Sequence, residues 1–77
     1  MSEKELGNTK FKEGQYKEAI QHYQNYVASD HDDNKNAWFN MSLCFSKQKK
    51  AVKSVEAAEM AVQIDPNYFK CYYRLAN

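Results

Sequence analysis

The sequence predicts an all-α fold built from antiparallel helix pairs, and three observations predict it. The chain repeats itself: Leu6-Gly7 aligns with Met41-Ser42 and then with Leu75-Ala76, at offsets of 35 and 34 residues, with Ala19 over Ser54, Tyr23 over Ala58 and Val27 over Val62. Within each unit the apolar residues recur three and four apart, the period of a helix with one buried face. No segment shows the strict alternation of a half-buried strand. The expected organisation is one domain over 1–77, with a first unit at about 1–33, a second at about 35–66, and the first helix of a third at about 67–77.

Five helices follow in order. The first is expected over 3–13, ended by Gly14, which can adopt the left-handed conformation that closes a helix. The second covers 16–29, with Tyr16, Ala19, Ile20, Tyr23, Tyr26 and Val27 on one face. The polar run Asp30-His31-Asp32-Asp33-Asn34-Lys35-Asn36 reads as a long loop between units. The third helix covers 35–47, with Trp38, Met41, Leu43, Cys44 and Phe45, and the fourth 51–64, with Val52, Val55, Ala58, Ala61 and Val62. Asp65-Pro66-Asn67 breaks the chain, because proline cannot continue the preceding ladder. A fifth helix begins near residue 67. Gly7, Ser42, Ala19, Ser54, Ala58 and Ala61 are small enough to let helices approach closely, and Trp38, Phe45 and Tyr23 are large enough to fill the gaps between turns.

Composition excludes several functions. The 77 residues carry a formal charge of +1, which gives nucleic acid no electrostatic handle. No apolar run reaches membrane-spanning length, and the polar start Met-Ser-Glu-Lys-Glu has no signal-peptide pattern, so a cytoplasmic protein is expected. Cys44 and Cys71 lie on packing faces without a Cys-x-x-Cys pair, and buried reduced thiols are expected. His22 and His31 have no partner at metal-ligand spacing, and Asp30, Asp32 and Asp33 lack the glycine and distal glutamate of a calcium loop. Lys47, Lys49, Lys50 and Lys53 cluster at a helix end, where they suit the dipole and solubility. No nucleophile, base and orienting acid form a set, so neither an enzyme nor a cofactor is expected.

The informative residues are Lys4, Asn8, Asn40, Lys70 and Arg74. Lys4 and Asn8 are four apart, as are Lys70 and Arg74, so each pair shares a helix face. All five are donors, three are cations, and Arg74 is the only arginine. Such a set suits a carboxylate-rich ligand, above all a free chain end, whose oxygens each accept several hydrogen bonds.

These motifs resemble the tetratricopeptide repeat. Leu6-Gly7, Phe11, Gly14-Gln15-Tyr16, Ala19, Tyr23 and Val27 follow its pattern in the first unit, Trp38, Phe45, Ser54, Ala58, Ala61 and Asp65-Pro66 in the second, and Tyr72, Leu75 and Ala76 open the third. The resemblance implies a right-handed superhelical stack whose first helices line a concave wall. Two departures stand out: Lys49-Lys50-Ala51 replaces the Gly-x-Tyr turn, so a positive φ costs more there, and Tyr26 stands where the family has alanine, which would push the first two helices apart.

Within that family, Lys4-x-x-x-Asn8, Asn40 and Lys70-x-x-x-Arg74 resemble the two-carboxylate clamp of co-chaperones. The resemblance implies binding of the C-terminal Glu-Glu-Val-Asp of the seventy- or ninety-kilodalton heat-shock chaperones. It places Phe11 against an apolar side chain of the peptide, with Leu43, Ser46 and Lys47 along the same wall. A dissociation constant on the order of micromolar is expected. Two other readings stand beside this one: a scaffold segment of a longer array with an unrelated partner, and the targeting arm of a fused enzyme. Because the third unit stops early, Tyr68, Tyr72 and Leu75 should lack a cover, so the chain is expected to be a fragment of a longer protein or to self-associate through that open end.

Overall fold

The computed structural model describes residues 2–67, and these form four helices and no strand: α1 (Glu3–Lys12), α2 (Tyr16–Val27), α3 (Asn34–Lys47) and α4 (Ala51–Ile64). Each helix packs on its neighbours in the chain, α1 on α2, α2 on α3 and α3 on α4. This is the all-α, tetratricopeptide-like stack the sequence predicts. The expected fifth helix, with Lys70, Arg74, Cys71 and the open face of Tyr68, Tyr72 and Leu75, lies outside the described residues.

Local chemistry sets the helix ends. Ser2 caps α1, its Oγ accepting from the Glu5 amide at 3.2 Å. Glu3 and Glu5 in the first turn and Lys10 and Lys12 in the last complement the helix dipole. At the other end the Gln15 amide donates to the Lys10 carbonyl at 2.9 Å and the Gly14 amide to the Phe11 carbonyl at 3.1 Å, with Gly14 at φ +78°. That pair of bonds around a left-handed residue satisfies carbonyls the helix would otherwise leave open. The end of α3 repeats the arrangement: Lys50 amide to Phe45 carbonyl at 2.9 Å, Lys49 amide to Ser46 carbonyl at 3.0 Å. Here the left-handed residue is Lys49, at φ 62°. The turn therefore keeps its geometry without its glycine, as the sequence implied at a cost. Asp65, before Pro66, is extended at φ −135°, ψ 99°, and ends α4 as expected.

Three helix ends differ from expectation. α1 stops at Lys12 rather than 13, α2 at Val27 rather than 29, and α3 starts at Asn34 rather than 35, so the connection between units runs over 28–33. Asn34 explains the last difference: its Nδ2 donates to the Ser29 carbonyl at 2.9 Å, which folds the loop back onto the start of α3.

The core is Ala19, Ile20, Tyr23, Ala37, Met41, Cys44 and Ala57, with Ala58 and Ala61 in a second cluster under Trp38, Phe39 and Val62. All six small residues assigned to close contact are buried. Two of them show why. A Cβ on Gly7 would lie 2.8 Å from Cε1 of Tyr23, so α1 rests directly on that ring. Ser54 Oγ donates to the Ser42 carbonyl at 2.9 Å, joining α4 to α3 backbone through a buried bond. The close seating of Gly7 corrects the expectation that Tyr26 drives α1 and α2 apart. Tyr26 instead stacks on His31, with ring centroids 3.9 Å apart, at the loop end of α2.

Candidate functional site

The site is built on one face of α1. Lys4 and Asn8 stand one turn apart, and each meets a different set of partners. Asn8 is the better defined. Its Oδ1 accepts from the hydroxyl of Tyr23 on α2, and Asn40 on α3 brings its Nδ2 to 3.4 Å from that hydroxyl and 3.5 Å from Asn8 Oδ1. Three helices thus meet at one phenol. The Tyr23 ring is 1% exposed. Burial pushes its hydroxyl up to about 12, so at neutral pH it keeps its proton and donates it. Because a planar amide has one acceptor end and one donor end, engaging Oδ1 fixes Asn8 with Nδ2 as its remaining donor.

The Lys4 end is organised by an acid. Its ammonium pairs with Asp33 Oδ2, while the hydroxyl of Tyr26 donates to Asp33 Oδ1 at 2.5 Å. The same ammonium stands 6.0 Å from the centre of the Tyr26 ring, within reach of a cation–π contact. The ammonium and the phenol hold the Asp33 carboxyl below the usual carboxylate range, and Asp33 in turn holds the Lys4 ammonium above its ordinary value. Lys4 is therefore charged but already partly neutralised. Glu3, beside it, reaches across to His22 on α2 at 2.7 Å, and this contact lowers the Glu3 carboxyl.

The remaining residues divide. Asn40, Leu43 and Lys47 follow one stripe of α3, three and four apart; Asn40 and Leu43 are half-buried and Lys47 is exposed. Phe11 is half-buried too, but packs against the core and edge-on to Tyr16, centroids 5.7 Å apart at 78°. Its role is at least partly structural. The structure brings Asn8 and Asn40 together at Tyr23, while Lys4, one turn along α1, pairs with Asp33; Lys70 and Arg74 fall outside the described residues. Tyr23, Tyr26 and Asp33 are the partners that sequence reasoning missed. A signal existed for Tyr23: a buried tyrosine, unlike phenylalanine, needs a hydrogen-bond partner.

Among the described residues no group of His, Cys, Asp or Glu is arranged to hold a metal ion, and no helix is long and apolar enough to cross a membrane. Cys44 is buried and unpaired, its thiol pushed up to about 12 by burial, so it is a poor nucleophile. Amide donors and an ammonium of this kind are chemically suited to an anionic group.

Stacked helices with donors from α1 and α3 are the build of a helical-repeat binding module. Comparison with known proteins agrees. The chain is 33% identical over 72 residues to Hsp70-Hsp90 organizing protein 3 of Arabidopsis thaliana, 94% of this chain but 13% of that protein. It is 32% identical over 72 residues to the Hsp70-Hsp90 organizing protein of Triticum aestivum, covering 12% of it. It is 35% identical over 78 residues to DnaJ homolog subfamily C member 7 of Homo sapiens, covering 16% of it. No protein-family model matches. The chain thus spans a small part of these relatives' length, and the similarity supports a tetratricopeptide-repeat domain.

Proposed function

We propose that this chain is a peptide-binding module of the co-chaperone type, gripping the acidic C-terminal segment, of Glu-Glu-Val-Asp type, of a seventy- or ninety-kilodalton heat-shock chaperone. One observation carries the reading: Asn8 and Asn40, from different helices, meet at the Tyr23 hydroxyl, with Lys4 one turn away. The relatives, named as organizers of Hsp70 and Hsp90, support it. Lys4, Lys70 and Arg74 supply charge, Arg74 being able to fork onto two oxygens. Asn8 and Asn40 supply amide donors, and Phe11, Leu43 and Lys47 line the rest of the wall. In this reading the chain holds two repeats and the opening of a third, acts in the cytoplasm, and binds rather than catalyses.

The test is a titration, by fluorescence polarisation, of a peptide ending Glu-Glu-Val-Asp with a free carboxyl terminus against its C-terminal amide. The free acid should bind with a dissociation constant on the order of micromolar. Amidation removes one charge-assisted contact, so affinity should fall about 10- to 100-fold. Arg74→Ala should cost a comparable factor. Equal binding of acid and amide would refute the clamp.

A further inference from the structure

We propose that Asp33 is a built-in carboxylate ligand of Lys4 that competes with the carboxylate of a bound peptide, so that Asp33 lowers the affinity of the site. The inference rests on the peptide-binding reading and adds its regulation from within the chain.

Two independent features of Asp33 point to it. First, Asp33 occupies the N-cap position of α3, where an aspartate side chain ordinarily accepts a hydrogen bond from the first-turn amides. Here its side chain caps nothing. The carboxylate is turned away from its own helix, toward α1. Second, both oxygens are taken by groups from other elements: Oδ2 by the Lys4 ammonium and Oδ1 by the Tyr26 hydroxyl at 2.5 Å. Tyr26 is itself held by stacking on His31. Lys4 therefore meets a carboxylate already held by a second contact.

The consequence follows from the donor inventory and from charge. An ammonium has three donors; Asp33 engages one and cancels much of the field that would attract a second anion. An incoming carboxylate at Lys4 would stand beside Asp33 and be repelled by it, unless Asp33 lets go. The pair is exposed enough to exchange, with the Lys4 side chain 36% and the Asp33 side chain 29% accessible. A pair this open is a weak competitor, equivalent to a factor of about two to five in affinity.

The experiment uses Asp33→Asn, which keeps an oxygen to accept from Tyr26 but removes the charge. Wild type, D33N, Lys4→Ala and the double variant are titrated at low salt with the free-acid Glu-Glu-Val-Asp peptide and its amide, and circular dichroism melts confirm that each is folded. D33N should bind the free acid about two- to fivefold tighter than wild type. That gain should shrink at high salt and vanish in the Lys4→Ala background. Weaker binding by D33N would show that Asp33 positions Lys4 rather than competing for it, and would overturn the proposal. So would an equal gain in the Lys4→Ala background, which would make Asp33 a source of general repulsion. Failure of the peptide-binding reading shows separately, in wild type, as equal affinity for acid and amide.

Discussion

Substituting alanine for Gly7 sets two effects against each other, and the structure says which wins. Alanine is the better helix former by about 1 kcal/mol, so in an open helix the change would stabilise. At this position the added Cβ would lie 2.8, 2.9 and 3.0 Å from Cε1, Cδ1 and Cζ of Tyr23. Non-bonded carbons rest at about 3.5–4.0 Å, so something must move by more than half an ångström. The ring has nowhere to go, being buried in the core and tied through its hydroxyl to Asn8. Hence α1 itself must lift off α2. Overpacking of this kind costs about 1–3 kcal/mol, and the lift also stretches the Tyr23–Asn8 bond, worth about 1 kcal/mol. The net expectation is a loss of about 1–3 kcal/mol, which lowers Tm by about 5–25 °C in a chain of this size. Urea and thermal unfolding followed by circular dichroism measure it. Gly14→Ala is the comparison: nothing lies within 4 Å of its Cβ, so only the positive φ of +78° is strained. If Gly7→Ala proves as stable as wild type, the tight seating of α1 on the Tyr23 ring is wrong.

Two further predictions follow from the helix ends and the ion pairs. Lys49 holds a left-handed conformation at φ 62°, so Lys49→Gly should relieve about 1 kcal/mol of strain, offset in part by the freer unfolded chain, and raise the urea midpoint slightly; a lower midpoint would refute the strain. Lys4 and Lys35 hold the carboxyls of Asp33 and Asp65 below their ordinary range. A depressed carboxyl stabilises the fold above the unfolded value of about 3.9 and loses that contribution as pH falls through the folded value. The urea midpoint should therefore hold from neutral pH down to about 5 and fall below about 4. The fall should be shallower in D33N, and an unchanged acid limb there would refute the assignment of Asp33.

The architecture was legible because its signals are local. Two units with the same small residues in the same register, Gly7 with Ser42 and Ala19 with Ser54, predict helix pairs in contact, and those four residues are buried. The end of α3 at 47 was read correctly although Lys49-Lys50 carries no turn signature. Its geometry is imposed by the packing of α3 on α4, whose buried Ser54–Ser42 bond needs the chain to reverse there. Tyr26, by contrast, misled the reading. A large residue at a small-residue position implies separation only if its ring points between the helices, and periodicity gives no rotamer.

Less of the candidate site was legible. Spacing placed Lys4 and Asn8 on one face of α1, and Asn40 of α3 brings its Nδ2 to 3.5 Å from Asn8 Oδ1. What spacing cannot supply is which polar groups are already engaged. Tyr23 turns Asn8 so that its amide hydrogens are the end left to donate, and a phenylalanine of the same shape would leave the amide free to rotate. Asp33 comes from a loop with no period at all, yet it pairs with the Lys4 ammonium. A row of donors on a helix is therefore an upper limit on affinity. How far below that limit the molecule sits depends on acids delivered by loops.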